Sequence, residues 1–191
     1  MAELLSTTPS RRTILGAMAL TAVAAAPSCA EGLGDDQGER KLPMLQRTRT
    51  GRKLSRVRYH NAEHFLETIN VGGPMRQNDL LYRSGIVAQL ALSSHLLDVG
   101  FADTWCAKYI GLHVSKSLQY ANASGFGHDC RQMNRLSIVL SPYGQWRNPS
   151  WDGAHRNDGE FTLEIILPLL RGLLDRAAEV TGHSLPCGVL R

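Results

Sequence analysis

Aromatic residues are scarce in this chain: Phe, Trp and Tyr together make up 6% of its 191 residues. A core of this composition must be built from Leu, Ile, Val and Ala, because few rings are available to fill it. The chain also lacks a Gly-x-Ser-x-Gly elbow, a phosphate-binding loop, a dinucleotide fingerprint, an EF-hand and a Cys-x-x-Cys pair. The sequence signatures of common hydrolases, nucleotide-binding enzymes and calcium-binding proteins are therefore missing.

Acidic residues are absent from residues 40–58, which carry eight cations. These cations are Arg40, Lys41, Arg47, Arg49, Arg52, Lys53, Arg56 and Arg58. From Tyr59 onward, 11 Lys and Arg stand against 12 Asp and Glu, a net charge of −1. The overall composition, 43% hydrophobic and 20% charged, fits one globular domain with an appendage. The basic character of the chain is thus confined to one segment ahead of a nearly neutral body.

An apolar run of 13 residues follows a pair of arginines near the start of the chain. Arg11 and Arg12 precede the run, which extends from Ile14 to Ala26 and contains no charge. As a helix it would span about 20 Å, short of the roughly 30 Å hydrocarbon core of a bilayer. A cationic start, a short apolar middle and a small-residue end are the anatomy of a signal peptide.

The segment Ser10-Arg11-Arg12-Thr13-Ile14-Leu15 resembles the motif of bacterial twin-arginine translocation signals. The resemblance covers about the first 30 residues and implies export of the folded protein by the twin-arginine translocation machinery. The location that it implies is periplasmic or secreted. We expect cleavage after Ala30. Two alternatives are lipidation at Cys29 and an uncleaved helix that anchors the chain in the inner membrane.

Residues 31–58 are interpreted as a flexible basic linker, because their apolar residues are sparse and follow no period. The basic run within it, from Arg40 to Arg58, indicates either a solvated charged tail or contact with an anionic membrane surface. Nucleic acid is not favoured as a partner, since no aromatic residues interleave with the cations to stack on bases.

Residues 59–191 are predicted to form a small, mainly α domain of about four helices. Helical spacing of apolar residues predicts these helices near residues 61–71, 78–99, 103–118 and 161–180. Asn or Asp at the starts and Gly72, Gly73 and Gly100 after the ends support their bounds. The apolar run at residues 136–140 is the one candidate for a short β element.

A long stretch without helical or strand periodicity covers residues 141–159. Irregular loops of this length are usually functional or mobile. Aromatic and charged residues in it are candidates for a platform that binds a ring-shaped ligand: Tyr143, Trp146, Arg147, Trp151, Asp152 and His155. The alternative is that the two tryptophans pin the loop to the core.

The segment from His60 to His64 matches His-x-x-Glu-His, the inverted zinc-protease pattern. On a helix, His60 and His64 would share a face as two zinc ligands, and Glu63 could polarise a metal-bound water. Glu160 or Glu164 is placed to supply a third ligand. The alternative interpretation is a set of polar residues at an exposed helix end.

Three cysteines follow the predicted cleavage site: Cys106, Cys130 and Cys187. An exported protein favours one disulfide, either Cys130–Cys187 or Cys106–Cys130, and one remaining thiol. Free thiols throughout are the alternative. A soft metal site that combines Cys106 and Cys130 with His113, His128 and Asp129 is a third interpretation.

These observations predict an exported, non-enzymatic accessory protein that binds a partner or small ligand through the loop at residues 143–158. We expect no cofactor in this case. A membrane-anchored structural protein held by its uncleaved N-terminal helix is one alternative. A small zinc-dependent hydrolase that uses His60, Glu63 and His64 is the other.

Overall fold

Six α-helices and one short 3-10 turn form the part of the chain that the computed structural model describes, residues 45–71, 75–147, 158 and 160–184. These residues belong to one unit, Leu42–Arg191; 75% of them are helical, and none is in a strand. The helices are α1 Arg49–Val71, α2 Gln77–Val99, α3 Asp103–Tyr109, α4 Val114–Ala123, α5 Arg131–Val139 and α6 Leu163–Thr181. The 3-10 turn covers Tyr143–Trp146. The predicted mainly α fold is confirmed.

Helix α2 is the centre of the domain and packs against α1, α4, α6 and the 3-10 turn. Towards its C-terminus it is surrounded by the rest of the domain: all eight residues from Ala91 to Asp98 are buried. A helix that is buried all round carries mostly small or apolar residues, and the exceptions in this stretch are His95 and Asp98. It ends at Gly100, whose φ of 116° is left-handed and whose N–H donates to the Leu96 carbonyl at 3.2 Å.

Helix α1 begins at Arg49, ten residues before the predicted start of the domain. The interpretation of residues 49–58 as linker was therefore wrong. Arg and Lys are good helix formers, so a basic run does not oppose a helix. Thr48 supplies the missed start signal, because its hydroxyl accepts the Gly51 N–H at 2.9 Å.

Residues 136–140 lie at the end of α5 and in its C-cap, so the predicted β element was also wrong. Met133, Leu136, Ser137 and Leu140 are buried, and their spacing is helical. Ile138, in contrast, is 67% exposed, as expected for the outer face of a helix. Among the described helices none is both long and apolar enough to cross a membrane.

Two buried carboxylates attach α1 to its neighbours. Asp98 of α2 accepts hydrogen bonds from Arg47 and, at 2.9 Å, from Arg52. Glu63 of α1 accepts from Arg171 of α6 at 2.7 Å and from the hydroxyl of Tyr59 at 2.8 Å. Burial and the Glu63 carboxylate raise the pKa of Tyr59, which keeps this phenol protonated as a donor.

Removal of the cation from the second of these pairs should destabilise the domain. In Arg171→Met the Glu63 carboxylate stays buried without its charged partner. Because Arg171 is partly exposed, we expect a loss of about 2 kcal/mol, below the usual range for a fully buried pair. Urea unfolding measures the loss. The double variant Glu63→Gln/Arg171→Met has no unpaired buried charge at this position and should lose clearly less; equal losses would contradict the argument.

Candidate functional site

An open cleft of about 380 Å³ lies beside α3. This volume falls in the range of sites that bind small organic molecules. Four parts of the fold supply its walls: α1, α2, α3 with the turn that follows it, and the 3-10 turn. The residues that line it are Arg58, Gln89, Ser93, Asp103, Cys106, Ala107, Gly111, Leu112 and Tyr143.

The cleft lies beside the end of α3. The helix stops after seven residues, and the chain reverses at Gly111, where φ is 58°. This left-handed conformation suits glycine, and the Gly111 N–H donates to the Cys106 carbonyl at 3.0 Å. The turn brings Leu112 to the rim, where its carbonyl accepts the N–H of Tyr143 at 3.2 Å. The 3-10 turn is thereby attached to the end of α3.

Tyr143 lies directly on α2 because Gly85 has no side chain. A Cβ atom at Gly85 would come within 2.2 Å of the Tyr143 Cβ, closer than any real contact. The phenol also contacts Tyr82, with ring centroids 6.0 Å apart. Burial raises the pKa of Tyr143, so its hydroxyl is a donor at neutral pH.

An ion pair between Arg58 and Asp103 joins α1 to α3 at the edge of the cleft. Its Nη2–Oδ1 distance is 3.3 Å, and the two side chains are 34% and 48% exposed. Exposed pairs of this kind contribute little to stability because water and salt screen them. Either member of the pair is therefore available to a ligand at small cost.

The polar side chains on the α2 side of the cleft already make some hydrogen bonds within the protein. The Gln89 carbonyl oxygen accepts the hydroxyl of Ser117 at 2.9 Å. Ser93 donates its hydroxyl proton to the Leu90 carbonyl at 3.1 Å. No described group accepts from the amide nitrogen of Gln89, so these N–H donors remain for a ligand or for water.

Cys106 contributes a thiol, not a thiolate, to the cleft. Burial, and secondarily the charge of Asp103, raise its pKa to about 11. At neutral pH the sulfur is thus a small apolar surface and a poor nucleophile. Cys106 and Cys130 are both free thiols, which contradicts a Cys106–Cys130 bridge. The other predicted pairing involves Cys187, which lies outside the described residues.

The predicted ligand platform is only partly present in the cleft. Tyr143 lines it. Trp146 is 3% exposed and donates its indole N–H to the Val139 carbonyl at 3.0 Å, so it is an anchor and its assignment to a platform was wrong. Arg147 is exposed and lies outside the cleft lining. Trp151, Asp152 and His155 lie outside the described residues.

The His-x-x-Glu-His pattern is not arranged for a metal. Both oxygens of Glu63 are occupied, one by Tyr59 and the other by Arg171. The His60 ring contacts Tyr59, and His64, one turn further along α1, is exposed. Glu63 is buried beside it, because adjacent helix positions face different directions. Within the described ranges, no three His, Cys, Asp or Glu side chains are grouped to hold a metal ion. The same finding applies to the predicted soft site around Cys106 and Cys130.

A serine and a histidine do meet, but deep in the core. The hydroxyl of Ser55 lies 2.7 Å from Nε2 of His183 and also donates to the Ser94 carbonyl. Both side chains are buried, and burial lowers the pKa of His183, which keeps the ring neutral. A substrate cannot reach this pair. It is therefore a structural contact between α1 and the residues after α6.

Most residues of the cleft are not indicated by the sequence. Arg58 falls in the segment interpreted as linker, and Gln89 and Leu112 belong to no motif. Besides the loop that indicated Tyr143, the reversal at Gly111 is a local signal that could have pointed to the cleft. In comparisons with known proteins, no family model matches this chain, no curated protein matches it, and no solved structure matches it.

Proposed function

We propose that this protein is a non-enzymatic binding protein that holds a small organic molecule in the cleft beside α3. The single observation that carries the proposal is the cleft itself: an open volume of about 380 Å³ with mixed polar and apolar walls. Pockets of this size and character are the usual sites for small ligands.

Different residues of the cleft walls would contact different parts of a ligand. Leu112, Ala107 and the protonated Cys106 offer apolar contact to the body of a ligand. Gln89 and Tyr143 offer hydrogen-bond donors, and Arg58 and Asp103 offer charge at the edge. None of these groups is an activated nucleophile. In the described part of the cleft no base is hydrogen-bonded to a nucleophile, and this favours binding over catalysis.

A bulky residue in the cleft should abolish binding. Ala107 is exposed on α3, so Ala107→Trp fills the cleft without disturbing the core. Suitable probes are 3-phenylpropionate, 3-phenylpropanamide and 3-phenylpropylammonium, which share one apolar body. We expect at least one to shift the amide resonances of the cleft residues in NMR titrations, and Ala107→Trp to weaken that binding at least tenfold.

The matched control is Ala123→Trp, which places the same side chain on an exposed position of α4 outside the cleft lining. It should bind the probe as the unmodified protein does. The proposal fails if none of the three probes shifts the cleft resonances, or if Ala107→Trp binds them as well as the control.

The N-terminal resemblance supports the proposal that the protein works after export by the twin-arginine translocation machinery. Lysine keeps the charge of arginine but not its planar guanidinium, so Arg11→Lys/Arg12→Lys should block export. Intact mass spectrometry of periplasm and membranes from a bacterial host should find a chain that starts at Glu31, and should lose it in this variant.

The control for that experiment is Arg40→Lys, which changes an arginine beyond the predicted cleavage site. It should leave export unchanged. A lipidated chain that starts at Cys29 would replace the cleavage proposal with a lipid anchor. A full-length chain in the membrane fraction would favour the anchored alternative instead.

A second candidate function is contact between α1 and an anionic membrane surface. Arg47, Arg52 and Arg58 pair with carboxylates, but Arg49, Lys53 and Arg56 pair with none of the described residues. Their spacings of four and three residues place these unpaired cations along one side of α1, and all three are exposed. Each cation close to an anionic bilayer contributes about 1 kcal/mol to binding.

This membrane contact should disappear in Arg49→Gln/Lys53→Gln/Arg56→Gln. Co-sedimentation with vesicles that contain phosphatidylglycerol should fall at least tenfold, and binding to the unmodified protein should weaken as salt is raised. Arg83→Gln/Arg131→Gln/Arg135→Gln removes three exposed cations elsewhere and lowers the net charge equally. Equal losses in both triple variants would mean that net charge, not this side of α1, is responsible.

A further inference from the structure

We infer that the ligand of the cleft is a small organic anion, a carboxylate on an apolar body, and that Arg58 binds it by exchanging Asp103 for the ligand. This inference rests on the proposed binding function and names the chemical class of the ligand. Three observations carry it: the weakness of the pair that holds Arg58, the excess of donors in the cleft, and the reach of the Arg58 charge across it.

Of the arginines that form ion pairs, Arg58 is held by the longest and weakest contact. Its 3.3 Å bond to Asp103 is the longest of the five ion pairs between described residues, and the only hydrogen bond of its guanidinium among them. By comparison, Arg171 and Arg52 approach their carboxylates to 2.7 and 2.9 Å. A guanidinium has five N–H groups, so four remain for a second acceptor. A carboxylate is the acceptor that fits this planar fork best.

The other polar groups of the cleft are also richer in donors than in acceptors. The amide oxygen of Gln89 is already occupied by Ser117, which leaves the amide nitrogen as its free end. Tyr143 is protonated, and its hydroxyl makes no hydrogen bond with a described group. Among the described residues of the lining, Asp103 is the sole carboxylate. A ligand that brings acceptors would satisfy these groups, whereas a ligand that brings more donors would not.

The positive charge of Arg58 acts on both sides of the cleft. It opposes the rise in the pKa of Cys106 on α3 and the rise in the pKa of Tyr143 on the 3-10 turn. The guanidinium therefore lies within electrostatic reach of both walls, where an anion between them would meet it. Leu112 and Ala107 would exclude water from the apolar body of such a ligand and strengthen the charged contact.

Asp103 has a definite role in this exchange. It holds Arg58 near the edge when no ligand is bound, and it competes with the incoming carboxylate for the same N–H groups. Loss of the Asp103 charge should therefore help an anion, whereas loss of the Arg58 charge should harm it. A cationic ligand would require the opposite responses, because Asp103 would then be the binding group.

The experiment compares 3-phenylpropionate, 3-phenylpropanamide and 3-phenylpropylammonium, which differ only in the charge and polarity of one end. Dissociation constants are measured by NMR titration of the full-length chain. We expect the carboxylate to bind at least tenfold more tightly than the ammonium. Arg58→Gln should weaken the carboxylate at least tenfold and leave the neutral amide within twofold, which also shows that this variant is folded.

Asp103→Asn provides the reciprocal measurement and should tighten the carboxylate by about threefold or more. If the ammonium binds most tightly and Asp103→Asn weakens it, the ligand is a cation and this inference is wrong. If all three probes bind equally and Arg58→Gln changes nothing, the inference fails while the cleft remains a binding site. If no probe binds, the proposed function itself falls.

Discussion

The carboxylate of Asp98 lies buried in the last turn of α2, where both the helix dipole and the loss of water oppose its charge. It is tolerated because two arginines reach it, Arg47 from just before α1 and Arg52 from the first turn of that helix. Arg52 also donates to the Thr181 carbonyl at the end of α6, and Arg47 to the backbone carbonyl of Asp98. One buried charge thus joins the ends of three helices, and α1 cannot shift along α2 without leaving that charge unpaired.

The site depends on this constraint through the register of α1. Asp98 fixes the helix at Arg52, and the pair between Glu63 and Arg171 fixes it again three turns later. Arg58 lies between these two attachments, so its Cα position relative to α2 and α6 is set by contacts that involve no cleft residue. Among the described residues, its tip is held only by the long, exposed bond to Asp103. The backbone of Arg58 is therefore held in place while its guanidinium can change partner, and this combination suits a residue that binds a ligand.

The sequence predicts the parts of this fold that depend on local periodicity. Helices α2 and α6 follow from apolar residues at helical spacing, and the end of α2 follows from Gly100. The start of α1 could not be found in this way, because its Thr48 cap lies within a run of cations and its first buried residue is the polar Ser55. Tyr143 was indicated by its loop, but Arg58 and Gln89 were not. They become cleft residues only when α1, α2 and α3 pack, and no local pattern encodes that packing.

Six cations lie within residues 47–58. They differ in whether they contact a buried carboxylate, a half-exposed carboxylate or solvent. Arg47 and Arg52 meet a carboxylate that water cannot reach, so their loss would expose the core to an unpaired charge. Arg58 meets a half-exposed carboxylate, and its contact can be exchanged at small cost. Arg49, Lys53 and Arg56 meet solvent. A single basic segment therefore contains cations that stabilise the fold and cations that are free to bind a ligand or partner. Which role each cation has depends on the residues that surround it and not on whether it is Arg or Lys.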